Sequence, residues 1–169
     1  MTTQVATPAD VRRGGAHRVP VPLDEPLIGD ASYDYADSFE IRVPESDERS
    51  TEQFVRSAIE DAPRPLRELV WLVHRHVLRL RLGPRSSASH VLGWRIKTSE
   101  HDVFRLEATS PLFGRGVIIG RRPDPTRAVM TTYVFHSRPT LGRAIWSIVG
   151  PLHRRVAPYL MERARGASR

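Results

Sequence analysis

Cysteine is absent from the 169-residue sequence. Its absence excludes disulfide bonds, cysteine nucleophiles and metal sites with sulfur ligands. Two motifs that are typical of metal-binding and nucleotide-binding sites are missing as well. They are His-Glu-x-x-His and a glycine-rich loop followed by Lys-Ser or Lys-Thr. We therefore predict that the chain holds no metal ion and no cofactor.

Long hydrophobic runs are also lacking. No apolar stretch approaches the roughly 18–20 residues that a helix needs to cross a bilayer, so we expect no transmembrane segment. Residues 1–15 are polar and lack the apolar centre of a secretory signal. These features predict a cytoplasmic protein.

Lysine is scarce, because Lys97 is the single lysine among 26 basic residues and all the others are arginine. High-GC genomes favour arginine codons, and this bias accounts for the excess of arginine over lysine as well as selection for phosphate binding does. The arginines are spread along the chain, whereas nucleic-acid-binding modules concentrate them on one helix or stripe. With a net charge of +7, we expect weak, non-specific binding to polyanions but no specific nucleic-acid partner.

The apolar residues that are present change their spacing along the chain in an informative order. Alternation indicates strands, and spacings of three and four residues indicate amphipathic helices. In chain order the segments are a strand at 38–44, helices at 50–61 and 65–82, strand-like segments within 90–137, and a long helix at 141–164.

This order predicts an α+β fold in which a curved antiparallel sheet of about five to six strands packs around the long C-terminal helix. Because Pro151 and Pro158 lie inside that helix, we expect a kink near Gly150 or a break into two helices. A pocket would then remain between the sheet and the helix. Residues 1–32 are proline-rich and non-periodic, which predicts a disordered or loosely packed tail before a single domain at 33–169.

Several separated blocks resemble the bacterial DUF2867 family, in order and over about residues 33–165. That uncharacterised family is similar to the helix-grip proteins of the SRPBCC superfamily, which includes the START, polyketide cyclase and plant allergen folds. The resemblance implies a pocket for a hydrophobic or amphipathic small molecule and carries over no catalytic residue. The blocks are DYADSFEI at 34–41, HVLGWRI at 90–96, LEATS at 106–110, Thr131-Thr132, Ile145-Trp146 and PLHRRVAPYL at 151–160.

The first functional hypothesis is therefore a small-molecule binding domain with its pocket between the sheet and the C-terminal helix. The second is an enzyme of the polyketide cyclase, isomerase or hydrolase type on the same fold. The third is a lipid or membrane-surface module, because residues 64–85 combine an apolar stripe with six arginines. The sequence leaves open whether the chain is an enzyme and whether it forms a homodimer.

Candidate ligand-binding residues are aromatic and polar side chains on the predicted strands and the last helix. Alternation places Thr131 and Tyr133 on one face of a strand and Thr132 and His136 on the other, without deciding which face is inward. Every member of the set also has an interpretation as ordinary packing or a solvated surface. The set comprises Trp94, Thr131, Thr132, Tyr133, His136, Trp146 and His153.

The candidates for acid–base chemistry are Glu107 and His136. Glu107 stands beside Arg105 on the strand face opposite an apolar row, so the pair is solvated if that row is the core. If the sheet curls the other way, the pair lies inside the pocket. His74 and His76 are two residues apart on a predicted helix and diverge, so they do not form a metal-binding pair.

Overall fold

The computed structural model describes residues 14–29 and 31–167. Within them, eight antiparallel strands form one sheet in the order β1-β2-β8-β7-β6-β5-β4-β3. The strands are β1 (His17–Val19), β2 (Tyr35–Arg42), β3 (Ser86–Ser87), β4 (His90–Val91), β5 (Trp94–Ser99), β6 (Val103–Ser110), β7 (Gly114–Asp124) and β8 (Arg127–His136). The helices are α1 (Thr51–Glu60), α2 (Arg64–Leu72), a π turn (Val73–Val77) that continues α2, and α3 (Pro139–Gly166).

Strands β3 to β8 follow one another as a meander, and β2 joins this meander beside its last strand. The register pairs Tyr35 of β2 with Val134 of β8 and Arg42 with Arg127. Helices α1 and α2 lie in the connection between β2 and β3, and α3 follows β8 directly. The first long strand and the last helix are therefore neighbours in space although they are far apart in sequence.

The predicted α+β class, the antiparallel sheet and the long C-terminal helix are confirmed. The predicted number of five to six strands is wrong, because the sheet has eight. The additional strands β1, β3 and β4 have three, two and two residues, which is too short to produce a recognisable alternation. The sheet begins at His17, whereas the sequence placed the start of the domain near Tyr33.

The first thirteen residues of the predicted tail, and Asp30 within it, lie outside the described residues. The described part of that tail packs against the outer face of the sheet. Val21 and Leu27 contact a buried cluster there that includes Val117. Glu25 is buried and pairs with Arg121 at 2.7 Å between Oε1 and Nη2, which fixes this segment to β7.

Helix α1 forms because its sequence supplies both a cap and an apolar face. The Ser50 hydroxyl accepts from the Gln53 amide, and the Gln53 side chain accepts from the Ser50 amide, which makes a capping box. Phe54, Val55 and Ala58 are buried against the sheet and α3. The predicted helix at 50–61 therefore corresponds closely to α1.

Helix α2 is shorter than the predicted helix at 65–82, because it widens into a π turn after Leu72. The Leu78 amide donates to the Val73 carbonyl, and the helix ends there, with Arg79 at a φ of 53°. The predicted apolar stripe is buried only in part, since Leu80 is buried and Leu66, Val70 and Val73 are partly buried. Its other two members, Leu69 and Val77, are 44% and 45% exposed. The helix stands at the border of the inner layer and touches the domain with one side only.

Helix α3 is continuous over 28 residues and contains both Pro151 and Pro158. The predicted alternative of two separate helices is therefore wrong, and the kink stays a prediction. The C-terminal part of the helix packs closely against β2 and α1 through Leu160 and Met161. No helix among the described residues is long and apolar enough to cross a membrane.

Candidate functional site

A cavity of about 110 Å³ lies between the inner face of the sheet, the α2–π segment and the middle of α3. Its walls are predominantly apolar. The sheet contributes Ile118 and Val134, the α2–π segment contributes Val70 and Val73, and α3 contributes Val149, Leu152 and Val156.

Gly116 on β7 makes room for an aromatic wall of this cavity. A Cβ atom on Gly116 would lie 2.7 Å from the Trp94 ring, closer than side chains tolerate. Because glycine stands there, the six-membered ring of the Trp94 indole packs closely against β7, and Trp94 is 6% exposed. The apolar face on which the sequence placed Trp94 is thus the face that lines the cavity.

A buried polar cluster lies beside the cavity, where β2 meets α3. The Asp37 carboxylate is fully buried and binds His153 at 3.1 Å between Oδ1 and Nε2. Its other oxygen accepts a 2.6 Å hydrogen bond from the Tyr35 hydroxyl. Burial and the adjacent Asp37 carboxylate raise the pKa of Tyr35 to about 12, so Tyr35 keeps its proton at neutral pH and donates it to this bond.

A second imidazole, His74 of the π turn, lines the same cavity. The Trp94 indole donates to His74 with 3.1 Å between Nε1 and Nδ1. Burial is the main cause that lowers the pKa of His74 to about 4, and electrostatic repulsion from the nearby His153 side chain lowers it further. His74 is therefore neutral at neutral pH.

Trp146 of α3 connects the polar cluster with the apolar wall. Its ring centroid lies 4.9 Å from that of Tyr35 and 5.5 Å from that of His153. Its indole Nε1 is buried and has no hydrogen-bond partner among the described residues. A buried donor of this kind costs about 1–3 kcal/mol when it stays unpaired.

The structure brings four of the seven predicted ligand-binding residues to the cavity, namely Trp94, Thr132, Trp146 and His153. On β8, the inward pair is therefore the one that contains Thr132. His136 shares that strand face but lies beyond the cavity, with its ring centroid 5.2 Å from that of Phe113. The His136 ring packs closely on Gly142 of α3, and its Nδ1 has no partner among the described residues.

Thr131 and Tyr133 lie on the opposite face of β8. Thr131 shares a 2.8 Å hydrogen bond with the Ser38 hydroxyl on β2. Tyr133 is fully buried in the outer-face cluster together with Val117. The structure therefore places neither side chain at the cavity.

Glu107, the first acid–base candidate, also lies on the outer face. It pairs with Arg105 at 2.5 Å and with Arg115 at 3.9 Å, and its side chain is 16% exposed. The neighbouring Leu106 points the other way into the inner core. The apolar row of β6 is thus the core face, and the carboxylate of Glu107 does not line the cavity.

Sequence reasoning missed Asp37 and Tyr35 as site residues and considered His74 only as a metal ligand. The sequence did contain a signal for Asp37 and Tyr35. The alternation of Phe39 and Ile41, continued backwards by two and four residues, places Asp37 and Tyr35 on the same inward face. A carboxylate on an apolar strand face needs a partner, and that partner is His153, 116 positions away.

No curated protein matches this chain. A family model does match, over residues 30–160, and this range includes β2 to β8, the α2–π segment and most of α3. The chain therefore belongs to the DUF2867 family, whose description is protein of unknown function (DUF2867).

Proposed function

We propose that the protein binds a small hydrophobic or amphipathic molecule in the cavity between the sheet and α3. The observation that carries this proposal is an apolar cavity with two imidazoles in its wall, His74 and His153. Binding sites for small molecules are typically concave and mostly apolar, with a few polar groups that orient the ligand. The arrangement of two short helices after β2 and a long helix after the last strand supports a helix-grip-like architecture.

The cavity volume limits what the site holds in this conformation. About 110 Å³ is similar in order to the roughly 150 Å³ of an apolar cavity that takes up benzene. The interior therefore accepts a group of about one six-membered ring. Ligands of drug or lipid size occupy pockets of roughly 300–1,000 Å³, so a larger ligand requires the α2–π segment to move outward.

Helix α2 has no fully buried residue, so such a movement disrupts less packing than displacement of a fully packed helix. It still separates the partly buried Leu66 and Val73 from the core and exposes the apolar lining of the cavity. The polar contacts that hold the segment in place include the Trp94–His74 hydrogen bond, a hydrogen bond from Arg67 Nη1 to the Glu60 carbonyl, and the exposed ion pair of Arg85 with Glu68, at 2.7 Å.

Native mass spectrometry of the purified protein, compared with its denatured mass, tests for a retained ligand directly. An NMR titration with benzene then measures occupancy of the cavity. Val149→Phe adds volume to the cavity wall, whereas Ile148→Phe adds the same ring to a residue of α3 that is 76% exposed. We expect benzene to bind the wild type and the Ile148 variant and to bind the Val149 variant at least tenfold more weakly.

Equal binding of benzene by the two variants would place its site elsewhere on the protein. Absence of benzene binding by the wild type, together with a bare native mass, would contradict the proposal. Retained folding of each variant is checked by its thermal unfolding transition.

A second candidate function is supported by the outward face of α2. Leu69 and Leu72 are 44% and 47% exposed, and Val77 of the π turn is 45% exposed. Exposed arginines flank these residues, including Arg75 and Arg79. An exposed apolar row with a basic border fits an anionic lipid surface, which would bring the α2 wall of the cavity to a membrane.

Sedimentation with vesicles tests this candidate. We expect binding to vesicles that contain phosphatidylserine, weakened by salt and by the double substitution Leu69→Ser and Leu72→Ser. Ile148→Ser on α3 is the control for loss of an exposed apolar side chain. Vesicle binding that the double substitution in α2 leaves unchanged would contradict this candidate function.

A further inference from the structure

The two imidazoles that line the cavity differ in which ring nitrogen is bound to a protein partner. An indole N–H only donates hydrogen bonds, and a carboxylate only accepts them. The partners of His74 and His153 therefore fix the same neutral tautomer in both rings, with the proton on Nε2, but they engage opposite nitrogens. The nitrogen that stays free is a hydrogen-bond donor in His74 and an acceptor in His153.

In His74, Nδ1 accepts from the Trp94 indole at 3.1 Å, so the proton of the neutral ring is on Nε2. Because the pKa of His74 is lowered to about 4, the ring stays in this form at neutral pH. No described residue accepts a hydrogen bond from its Nε2. His74 thus offers an unused N–H donor.

In His153, Nε2 faces the Asp37 carboxylate at 3.1 Å, so the proton of the neutral ring is on Nε2 and the lone pair is on Nδ1. The Tyr35 hydroxyl donates a 2.6 Å hydrogen bond to the other Asp37 oxygen and holds the carboxylate in place. No described residue donates a hydrogen bond to Nδ1 of His153. His153 thus offers a basic nitrogen backed by a buried carboxylate.

We propose that His74 and His153 form a proton-transfer site for a small carbonyl compound. The carbonyl oxygen of the substrate accepts a hydrogen bond from Nε2–H of His74. Nδ1 of His153 removes a proton from the carbon next to that carbonyl, the electron pair of the broken C–H bond moves into an enolate, and His153 becomes an imidazolium. This inference rests on the proposed function, because the substrate must occupy the cavity.

The cycle balances without a co-reactant. The imidazolium of His153 exchanges its Nδ1 proton with solvent and returns a solvent-derived proton to the same carbon, so that the substrate exchanges hydrogen, or it delivers its proton to another carbon of the enolate, which isomerises the substrate. Asp37 stabilises the imidazolium and keeps the ring oriented, so it is a positioning residue. His74 stays a donor throughout, because its low pKa prevents it from competing for the proton.

The test uses cyclohexanone, a one-ring ketone that matches the cavity in size. The protein is mixed with cyclohexanone in heavy water, and NMR records both the binding of the ketone and the loss of its hydrogens next to the carbonyl. We expect the wild type to accelerate this exchange relative to the same concentration of free imidazole. His153→Gln should lower the protein-dependent rate about 10²–10⁴-fold and leave ketone binding within a few-fold.

His74→Phe removes the donor and should lower the rate about 10²–10³-fold. His76→Gln is the matched control, because His76 is an exposed histidine of the same π turn and does not line the cavity. Its exchange rate should equal that of the wild type. Bound ketone that exchanges no faster than in free imidazole overturns the proton-transfer site and leaves the binding function standing.

Exchange that survives in the folded His153→Gln variant overturns the site as well. Failure of the wild type to bind the ketone at all overturns both the proton-transfer site and the proposed function. The binding signal therefore distinguishes between failure of the chemistry and failure of the cavity.

Discussion

Helices α1 and α2 are neighbours in the sequence and look alike there, but they serve different purposes in the molecule. Helix α1 has a capping box and buries four residues, including Phe54. Helix α2 has no side-chain cap, buries no residue and ends in a π turn. Both have an apolar face, yet only the face of α1 meets the sheet and α3 in full.

This contrast explains where the cavity lies. Helix α1 and the C-terminal part of α3 close the core over β2, with Ala58 and Met161 fully buried. Over β7 and β8, α2 touches the interior through Val70 and the π turn through His74, and a space remains beneath them. Under the proposed function, the closely packed half would keep the fold while the less buried half admits a ligand.

The largest expected difference between the two helices concerns their contribution to stability. Phe54→Ala in α1 should lower the free energy of unfolding by about 3–5 kcal/mol, because it removes a buried ring and leaves a hole. Leu72→Ala in α2 should change it by no more than about 0.5 kcal/mol, since that side chain is 47% exposed. Urea unfolding of both variants measures the two values. Similar losses would show that α2 is as firmly packed as α1.

The stability of the protein should depend on pH through His74 in the π turn. Because the pKa of His74 is about 4 in the folded state and about 6.5 in the unfolded state, the unfolded state binds more protons between these values. The contribution of His74 to stability is therefore complete above pH 6.5 and falls by about 3 kcal/mol as the pH drops to 4.

His74→Gln keeps an acceptor for Trp94 and does not titrate. Urea unfolding of the wild type and this variant at pH 7 and pH 4 should show a smaller loss for the variant, with the difference equal to the His74 contribution. Parallel pH profiles for the two proteins would mean that His74 is not held neutral by burial.

We expect an intermediate loss of stability from a substitution where the sheet meets the α2–π segment. Gly116→Ala places a Cβ atom 2.7 Å from the Trp94 ring, so the ring must shift and its hydrogen bond to His74 must weaken. We expect a loss of about 1–3 kcal/mol in stability and weaker binding of benzene. Calorimetry and the NMR titration measure the two effects. Unchanged values of both would mean that Trp94 adjusts without affecting the cavity.

The smallest of these effects concerns the capping box that α1 has and α2 lacks. Ser50→Ala removes the hydroxyl that accepts from the Gln53 amide and should cost about 1 kcal/mol. Ser57→Ala, a partly exposed serine within the same helix, is the control and should change stability by less than about 0.5 kcal/mol. Equal losses in urea unfolding would contradict a specific role of the cap.

Prediction from the sequence succeeded where a local pattern decides the structure. The cap at Ser50 and the spacing of Phe54 and Ala58 define α1, and alternation defines β2 and β5 to β8. It failed for the C-terminal part of the helix predicted at 65–82, because Val77 and Leu80 continue the helical spacing although the chain leaves the helix after the π turn. Periodicity alone does not separate a continuing helix from a π turn that is followed by irregular chain with buried leucines.

The residues of the site were predictable only where a residue type on a predicted element marks them. Trp94, Trp146 and His153 stand out as aromatic or titratable groups on predicted inner elements. Their partners do not stand out, because the Asp37–His153 and His74–Trp94 bonds join residues 116 and 20 positions apart. These contacts depend on the tertiary arrangement and leave no local spacing in the sequence.

Amide hydrogen exchange of the free protein and of the protein saturated with benzene tests the central claim most directly. That claim is that the α2–π segment is a loosely held wall over a ligand cavity. We predict slow exchange throughout α1 in both samples, and fast exchange in α2 and the π turn that becomes markedly slower with benzene. Exchange in α2 that is as slow as in α1 before benzene is added, or that benzene leaves unchanged, would contradict it.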